Sequence, residues 1–295
     1  MRLVYLGTPA LAVPPLAALV AAGHDVALVV SAADKRRGRG SALSPSPVKA
    51  AAAELGPPVN DRVDDVLDVD PPAELGVVVA FGRIIKPHML ERLAMVNLHF
   101  SLLPRWRGAA PVERALLAGD EVTGVAVMGV EEGLDTGPVY AEAEVDIGPD
   151  ETADELRARL VAHGTRLLLG VLERGLGAAP ARPQEGEATY AQKLSVAELE
   201  LIWDRPAVEL HRVVRVGGAW TTFRGRRVKV HRAMVHRGMV GPEQGLAPGE
   251  LAGTSVGTGS GTLTLVEVQP EGRPRQAAEA WANGARLVAG DRLGS

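Results

Sequence analysis

The segment LGVVVAFGRIIKPHMLERLAMVNLHFS, Leu75–Ser101, carries two short apolar runs on either side of a stretch of helical length. The runs LGVVVAFG and MVNLHFS are rich in β-branched residues and almost continuously apolar, which is typical of strands buried on both faces of a sheet. A strand, a helix and a second strand in this order predict a parallel pair joined by a right-handed crossover. The segment therefore indicates an α/β fold with a mostly parallel sheet.

Two earlier runs extend this pattern toward the N-terminus. LVYLG (Leu3–Gly7) and DVALVVS (Asp25–Ser31) predict two further buried strands, again separated by an Ala- and Leu-rich segment of helical length. In Rossmann-like sheets of this kind, ligands bind beyond the carboxyl ends of the strands. The turn after the first run, GTPALAVPPLAAL, lacks the Gly-x-Gly-x-x-Gly spacing that lets a backbone approach a pyrophosphate. We therefore expect no dinucleotide cofactor.

The length of 295 residues favours two domains. In the segment TADELRARLVAHGTRLLLGVLERG, Thr152 is followed three residues later by Glu155, a capping-box pattern that predicts a helix near the end of the first domain. The next stretch, GLGAAPARPQEGEATYAQKLS, is rich in Gly, Ala and Pro without periodicity, as expected of a connection that crosses a surface.

Beyond this connection, the segments RRVKVHRAMV and TLTLVEVQP alternate apolar and polar residues and are separated by glycine-rich turns such as GTSVGTGSG. This pattern favours a small antiparallel barrel. We therefore predict a Rossmann-like domain over residues 1–188, a linker over residues 189–204, and a small antiparallel β-barrel of OB-like type over residues 205–295.

Composition narrows the possible chemistry. The chain has no cysteine, which excludes disulfides, thiolate metal sites and a cysteine nucleophile. The formal net charge of -4 gives no global attraction to nucleic acid. The apolar run in MRLVYLGTP ends at once at Gly7 and Pro9, so it predicts neither a signal peptide nor a membrane span. We expect a cytoplasmic protein with no membrane partner.

Asn97, His99 and Ser101 are placed at every second position of NLHFSLLPRWRGAAP. In a strand these side chains share one face, and Pro104 is expected to end the strand. A single buried histidine is more often a structural residue bonded to the backbone, but three polar residues in register favour a site. An amide donor beside an imidazole can stabilise the oxygen of a carbonyl as it gains negative charge.

The best candidate for a carboxylate in this site is Asp135 in EEGLDTGPVY, where it lies between two glycines in a predicted turn. On its own, Asp135 is more simply a turn-former.

Two other sites are conceivable from the same side chains. A serine hydrolase would use Ser101 and His99, but neighbours two apart on a strand rarely reach attack geometry, and no Gly-x-Ser-x-Gly elbow surrounds Ser101. A metal site at His99 and Asp135 is the other alternative, but the sequence has no closely spaced ligands such as a His-Glu-x-x-His motif.

Taken together, NLHFSLLPRWRGAAP and GLDTGPV resemble the folate-dependent formyltransferases, and most closely those members that act on a charged initiator tRNA. SPSPVKAAAAELG, YAQKLS and the C-terminal barrel extend the resemblance over nearly the whole chain. It implies transfer of the formyl group of 10-formyltetrahydrofolate to the free amino group of methionyl initiator tRNA for translation initiation, by direct attack through a tetrahedral intermediate. An amino-sugar nucleotide acceptor and a non-catalytic RNA-binding protein that kept the fold are the alternatives.

The resemblance also assigns residues. It implies that Asn97, His99 and Asp135 are catalytic and that the segment Ser101, Leu102, Leu103, Pro104 contacts the folate. No metal is implied, and we expect a monomer. Phe100 departs from the family because many relatives have glycine there, and we expect altered packing behind the site without an effect on catalysis.

Two basic stretches are candidates for contact with tRNA. Lys35, Arg36, Arg37 and Arg39 lie in a Gly- and Ser-rich loop, DKRRGRG, and the resemblance makes Arg39 the key arginine of a loop that enters the acceptor end. Many relatives carry lysines where this chain has Ser41 and Ala42. In RGRRVKVHR the strand period predicts that Arg227, Lys229 and His231 point outward, toward phosphates, and that Val228 and Val230 point inward. A solvated loop and a soluble strand face are the alternatives.

Overall fold

The computed structural model describes residues 1–36, 43–178, 180–235 and 245–295. They form two compact units. The first comprises Met1–Val112, Val122–Ile147 and Leu156–Gln192, and the second comprises Glu113–Glu121, Gly148–Glu155 and Lys193–Ser295. The domain limits expected from the sequence stay a prediction. Within the described ranges, no helix combines the length and the apolar character that crossing a bilayer requires.

The elements up to residue 191 are β1 (Arg2–Gly7), η1 (Ala10–Ala12), α1 (Val13–Ala21), β2 (Asp25–Val30), β3 (Lys35–Arg36), β4 (Leu43–Ser44), α2 (Pro47–Leu55), β5 (Val59–Asn60), η2 (Val63–Leu67), β6 (Leu75–Val79), α3 (Pro87–Leu90), β7 (Met95–His99), β8 (Arg107–Gly108), α4 (Pro111–Ala118), β9 (Val122–Gly129), β10 (Val139–Asp146), α5 (Ala153–Arg174) and β11 (Tyr190–Ala191). The later elements are η3 (Ala197–Leu199), α6 (Ala207–Val216), β12 (Trp220–Phe223), β13 (Arg226–Val235), β14 (Leu251–Ala252), β15 (Ser255–Gly257), β16 (Thr262–Pro270), β17 (Gln276–Ala277) and α7 (Ala278–Ala285).

A seven-stranded sheet forms the centre of the first unit, in the order β10-β9-β7-β6-β1-β2-β5. The five strands from β7 to β5 are parallel to one another, whereas β9 is antiparallel to β7 and β10 is antiparallel to β9. All five residues of β6 are buried, as expected for a strand covered on both faces. The predicted mostly parallel α/β fold is confirmed, and the carboxyl ends of β6 and β7 lie side by side.

The capping box predicted for the helix after β10 is confirmed. The backbone N–H of Glu155 donates to Oγ1 of Thr152 over 3.3 Å, and the backbone N–H of Thr152 donates to Oε2 of Glu155 over 2.8 Å. These reciprocal bonds satisfy backbone donors that have no partner inside the helix. The bond from the Thr152 N–H, followed by the one from its hydroxyl, lowers the pKa of the Glu155 carboxyl from its ordinary value.

An antiparallel sheet is the main feature of the second unit, with the strand order β12-β13-β16-β15-β14 and β17 paired to β16. The last residues of the chain bond to both edges of this sheet. The N–H of Leu293 donates to the carbonyl of Gly249, just before β14, and the N–H of Gly294 donates to the carbonyl of Thr222 in β12, each over 2.8 Å. The C-terminal residues therefore connect the two edges of the sheet. The predicted antiparallel fold of this part of the chain is confirmed.

The outward face predicted for β13 is also confirmed over most of its length. Arg227 and Lys229 are exposed, and Val228 and Val230 between them are buried. His231 is half-buried, and the register to β16 shifts between Val230 and Ala233. Such a bulge adds a residue to one strand and changes the face that its side chains occupy.

Two glycines of α5 allow a matched test of how tightly this helix packs on the sheet. A Cβ on Gly164 would stand 2.8 Å from Cγ2 of Val125 and 2.9 Å from Cδ1 of Leu98, whereas a Cβ on Gly170 would meet only the mobile end of Arg174, at 3.4 Å. Gly164→Ala is expected to lower the free energy of unfolding by about 1–3 kcal/mol through overpacking. Gly170→Ala should raise it by about 0.5–1 kcal/mol, since alanine favours the helix.

Urea unfolding of the two variants and the parent chain measures this difference. The order of stability Gly170→Ala, parent, Gly164→Ala is the expected result. Equal stability of the two variants would contradict close packing of α5 against β7.

Candidate active site

Asn97 and His99 lie on one face of β7, at the carboxyl end of the parallel part of the sheet. Asn97 pairs in register with Val78 of β6 and Met128 of β9, and His99 pairs with Ala126 of β9. Asn97 is partly exposed, whereas the flanking residues of the strand are buried. Both polar side chains therefore stand where ligands bind in sheets of this type.

The expected position of Ser101 on the same strand face is wrong. β7 ends at His99, and Ser101 lies in the bend that follows, completely buried. Its hydroxyl donates to the carbonyl of Arg105 over 2.6 Å and so closes the turn locally. Once the chain leaves the sheet, the alternation of faces no longer applies. Pro104 lies inside this turn, five residues after the last strand residue.

Leu102 and Leu103 of the predicted folate segment also have structural contacts. The side chain of Leu102 lies against β9 where Gly124 leaves room for it. Leu103 is buried and packs with Ala126, Met128 and Val139. A contact of this segment with folate stays a prediction; Ser101 and Leu103 are buried, whereas Leu102 and Pro104 are half-buried. Phe100 is likewise buried.

His99 is fixed between two acceptors. Its side chain is 6% exposed, Nε2 lies 3.0 Å from the carbonyl oxygen of Trp106, and Nδ1 lies 3.6 Å from Oδ2 of Asp135. A carbonyl oxygen only accepts hydrogen bonds, so Nε2 carries a proton. The Nδ1 separation is slightly long for a hydrogen bond, a common geometry for catalytic pairs without substrate. The sequence predicted no role for Trp106.

Asp135 lies in the turn between β9 and β10, as the sequence predicts. Its backbone adopts a positive φ of 51°, a region that aspartate tolerates better than most residues. Its Oδ2 accepts from the N–H of Gly108 over 2.8 Å, which fixes the carboxylate that faces His99. A Cβ on Gly137 would collide with the carbonyl oxygen of Gly129, so the second glycine of GLDTG permits the close approach of the two strands.

The carboxamide of Asn97 has no hydrogen-bond partner among the residues that the structure describes. A half-buried amide of this kind can donate to a ligand at no cost in internal hydrogen bonds. Trp106, whose φ is 62°, adds a strained backbone next to the same site. Such backbone outliers cluster where a structure positions groups for function. The structure thus places Asn97 two residues before His99 on the same strand, with the imidazole of His99 beside the carboxylate of Asp135, and a catalytic role for the three residues stays a prediction.

The two alternative sites find no support in this geometry. The hydroxyl of Ser101 is bonded to Arg105 and both nitrogens of His99 face other groups, so the pair is not arranged for nucleophilic attack. Across the described part of the chain, no three His, Asp or Glu side chains are grouped as metal ligands.

The predicted tRNA loop is described only at its base. Lys35 and Arg36 form β3 and pair with Leu43 and Ser44 of β4. Arg39 lies outside the described residues, as do Arg37, Ser41 and Ala42.

Two family models match the chain. The model described as formyl transferase matches residues 1–172, and the model described as formyl transferase, C-terminal domain, matches residues 193–286. Relatives match over nearly their whole length. A methionyl-tRNA formyltransferase of Clavibacter michiganensis is 44% identical over 294 residues, which cover 95% of this chain and 96% of that protein. One of Streptomyces coelicolor is 43% identical over 317 residues and covers 100% of both chains.

Solved structures show the same fold at lower identity. An N-formyltransferase from Helicobacter canadensis, in complex with folinic acid and dTDP-3-aminofucose, has a TM-score of 0.68 and 16% identity and covers 92% of this chain and 99% of that one. A methionyl-tRNA formyltransferase from Clostridium thermocellum has a TM-score of 0.57 and 17% identity and covers 81% and 95%. These likenesses concern the fold alone, whereas the matched family models span most of the sequence. The chain belongs to the formyl transferase family.

Proposed function

We propose that the protein transfers the formyl group of 10-formyltetrahydrofolate to the free amino group of methionyl initiator tRNA. The observation that carries this proposal is the identity of 43–44% with methionyl-tRNA formyltransferases over nearly the full length of both chains. The structural neighbours whose descriptions point to sugar substrates are only 14–20% identical, so they give no comparable support to a sugar acceptor. The predicted cytoplasmic location and monomeric state stay predictions.

The free carboxamide of Asn97 fits a formyl group. As the amine attacks, a bond forms between its nitrogen and the formyl carbon, and the formyl oxygen gains negative charge. Asn97 donates to this oxygen, and hydrogen-bond donors aimed at developing charge contribute more than any other effect to the rate of many acyl transfers. Nε2 of His99 carries its proton toward the carbonyl of Trp106, so Nδ1 takes up the proton that the amine loses and, once protonated, donates a second hydrogen bond to the oxyanion. Asp135 faces Nδ1 and stabilises the charge that forms on the imidazole.

Completion of the transfer requires two proton movements. The attacking amine loses a proton, and N10 of the folate gains one as its bond to the formyl carbon breaks. An α-amino group titrates at about 7.7–8.0, so near neutral pH a part of the amine is protonated and a base promotes attack. The couple of His99 and Asp135 can accept and return this proton because the two groups face each other in a buried position.

Binding of tRNA is proposed to involve exposed cations outside this site. Arg227 and Lys229 lie two residues apart on the outer face of β13, where both can contact phosphates. Arg39 remains the proposed arginine for the acceptor end. In this scheme the chain selects an initiator tRNA because an acceptor end that unpairs easily brings the aminoacyl ester to a recessed site, whereas a matched step costs a few kcal/mol to open.

The decisive experiment measures formyl transfer from 10-formyltetrahydrofolate with four acceptors: charged initiator tRNA, charged elongator methionyl-tRNA, free methionine and an amino-sugar nucleotide. We expect efficient formylation of the initiator tRNA and a rate on the elongator at least about tenfold lower, since an opening cost of about 1.4 kcal/mol already gives that factor.

Equal rates on both tRNAs would contradict the proposed selection. Transfer to the amino-sugar nucleotide without transfer to tRNA would replace the proposed function by the sugar alternative. The absence of transfer to every acceptor would favour the non-catalytic alternative.

A further inference from the structure

The segment Arg182–Ala191, called the brace here, follows α5 and belongs to the stretch that the sequence predicts to be a connection. Its first residue pairs with β10, since the N–H of Arg182 and that of Val139 each donate to the other's carbonyl over 2.8 Å. Its last two residues form β11 and pair in parallel with Arg107–Gly108. The brace is therefore fixed at one end beside the Asp135 turn and at the other beside the segment that contacts His99.

Gln184 is the link between the brace and the Asp135 turn. Its Nε2 donates to the backbone carbonyls of Asp135 and Gly137, each over 2.8 Å. Its Oε1 accepts from Nε of Arg107 over 3.0 Å and from Nη2 of the same guanidinium over 2.6 Å. Both donors and the acceptor oxygen of this carboxamide are thus engaged, and the side chain has one orientation.

Thr189 links the brace to the other side of the site. Its Oγ1 accepts from the N–H of Trp106 over 2.9 Å, and its carbonyl accepts from the N–H of Arg107 over 2.9 Å. The carbonyl of Trp106 is the acceptor for Nε2 of His99, so Thr189 fixes the residue that orients the imidazole. The positive φ of Trp106 is a strained conformation that needs such external bonds to persist.

We propose that Gln184 and Thr189 are positioning residues that set the distance between Asp135 and His99, through their bonds to the Asp135 turn and to Trp106. This inference rests on the proposed function. Asp135 and His99 lie on different elements, the β9–β10 turn and the end of β7, and the brace bonds to the neighbours of both. A misplacement of about 1 Å in such a couple can cost about 100-fold in rate.

The test compares near-isosteric variants. Gln184→Glu keeps an oxygen for Arg107 and removes the two donors to the Asp135 turn, whereas Thr189→Val keeps the shape of the side chain and removes the acceptor for Trp106. We expect kcat for formyl transfer to fall about 10- to 100-fold in both variants, with KM for 10-formyltetrahydrofolate and for tRNA changed less than about threefold. Thr189→Ser, which keeps the hydroxyl, should restore most of the rate.

Glu185→Gln is the matched control, because Glu185 is exposed in the same segment and has no hydrogen-bond partner among the described residues. It should retain the parent rate.

A double variant separates an effect on position from an effect on general stability. If Gln184 acts through Asp135, adding Gln184→Glu to Asp135→Asn should lower kcat by less than about twofold, because groups that act as a unit are not additive.

Parent-like kcat in both Gln184→Glu and Thr189→Val would overturn the inference, and so would fully additive losses in the double variant. Circular dichroism and thermal unfolding show whether each variant is folded. If Gln184→Glu does not fold, the Thr189→Val and Thr189→Ser pair decides alone. Lack of transfer by the parent protein would instead refute the proposed function.

Discussion

Asn97→Ala is expected to lower kcat for formyl transfer by about two to three orders of magnitude, the usual effect of removing one donor to a developing oxyanion. The carboxamide has no partner among the described residues, so its loss leaves no internal group unsatisfied and should change stability little. KM for both substrates should change much less than kcat, because the bond to the formyl oxygen strengthens as charge develops. Steady-state kinetics with initiator tRNA measures both constants.

Asn97→Asp shows whether the lost hydrogen-bond donor or the lost side-chain volume causes the effect of Asn97→Ala. An ionised carboxylate has nearly the same shape, donates no hydrogen bond and repels a developing oxyanion, so this variant should be at least as slow as Asn97→Ala. Asn283→Ala provides the control, since Asn283 is an exposed residue of α7. A rate for Asn97→Ala within about threefold of the parent rate would remove Asn97 from the oxyanion site.

The sheet and the position of Asn97 and His99 could be predicted because the physics of a buried strand is local. A strand covered on both faces needs apolar residues throughout, so the exceptions in β7 stand out in the sequence. The outer face of β13 could be predicted up to Val230 because successive side chains of a strand point to opposite faces. The bulge of β13 could not be predicted, because the alternation of polar and apolar residues does not show where the partner strand accommodates an extra residue.

The limits of prediction are clearest beyond His99. The alternation of NLHFS continues through Ser101, but the chain turns after His99 and the Ser101 hydroxyl bonds to Arg105 instead. Gln184 and Thr189 leave no periodic pattern at all, because each bonds to the backbone of segments about 50 to 80 residues away along the chain. The carbonyl of Trp106 and the N–H of Gly108 are backbone groups, so the type of residue at these positions does not reveal their contacts. Contacts of this kind depend on the folded geometry.

The couple of His99 and Asp135 gives the second large expected effect. Asp135→Asn should lower kcat by about two to four orders of magnitude, the range attributed to a positioned acid or base. The change keeps the shape of the side chain but removes the negative charge 3.6 Å from Nδ1 of His99, so the charge that forms when this atom takes up a proton is no longer stabilised. His99→Ala should lower kcat by about two to three orders of magnitude. Asp204→Asn, an exposed aspartate of the second unit, is the control.

Coupling between the two residues distinguishes a shared proton pathway from two separate contributions. If Asp135 acts by orienting His99 and sharing its proton, then once His99 is alanine the carboxylate has nothing left to act on. The variant with both changes should therefore be no more than about threefold slower than the slower single variant. Independent roles would instead multiply the two losses to at least about four orders of magnitude. A multiplied loss would show that Asp135 contacts the reacting groups directly and that its position facing Nδ1 is not the basis of its role.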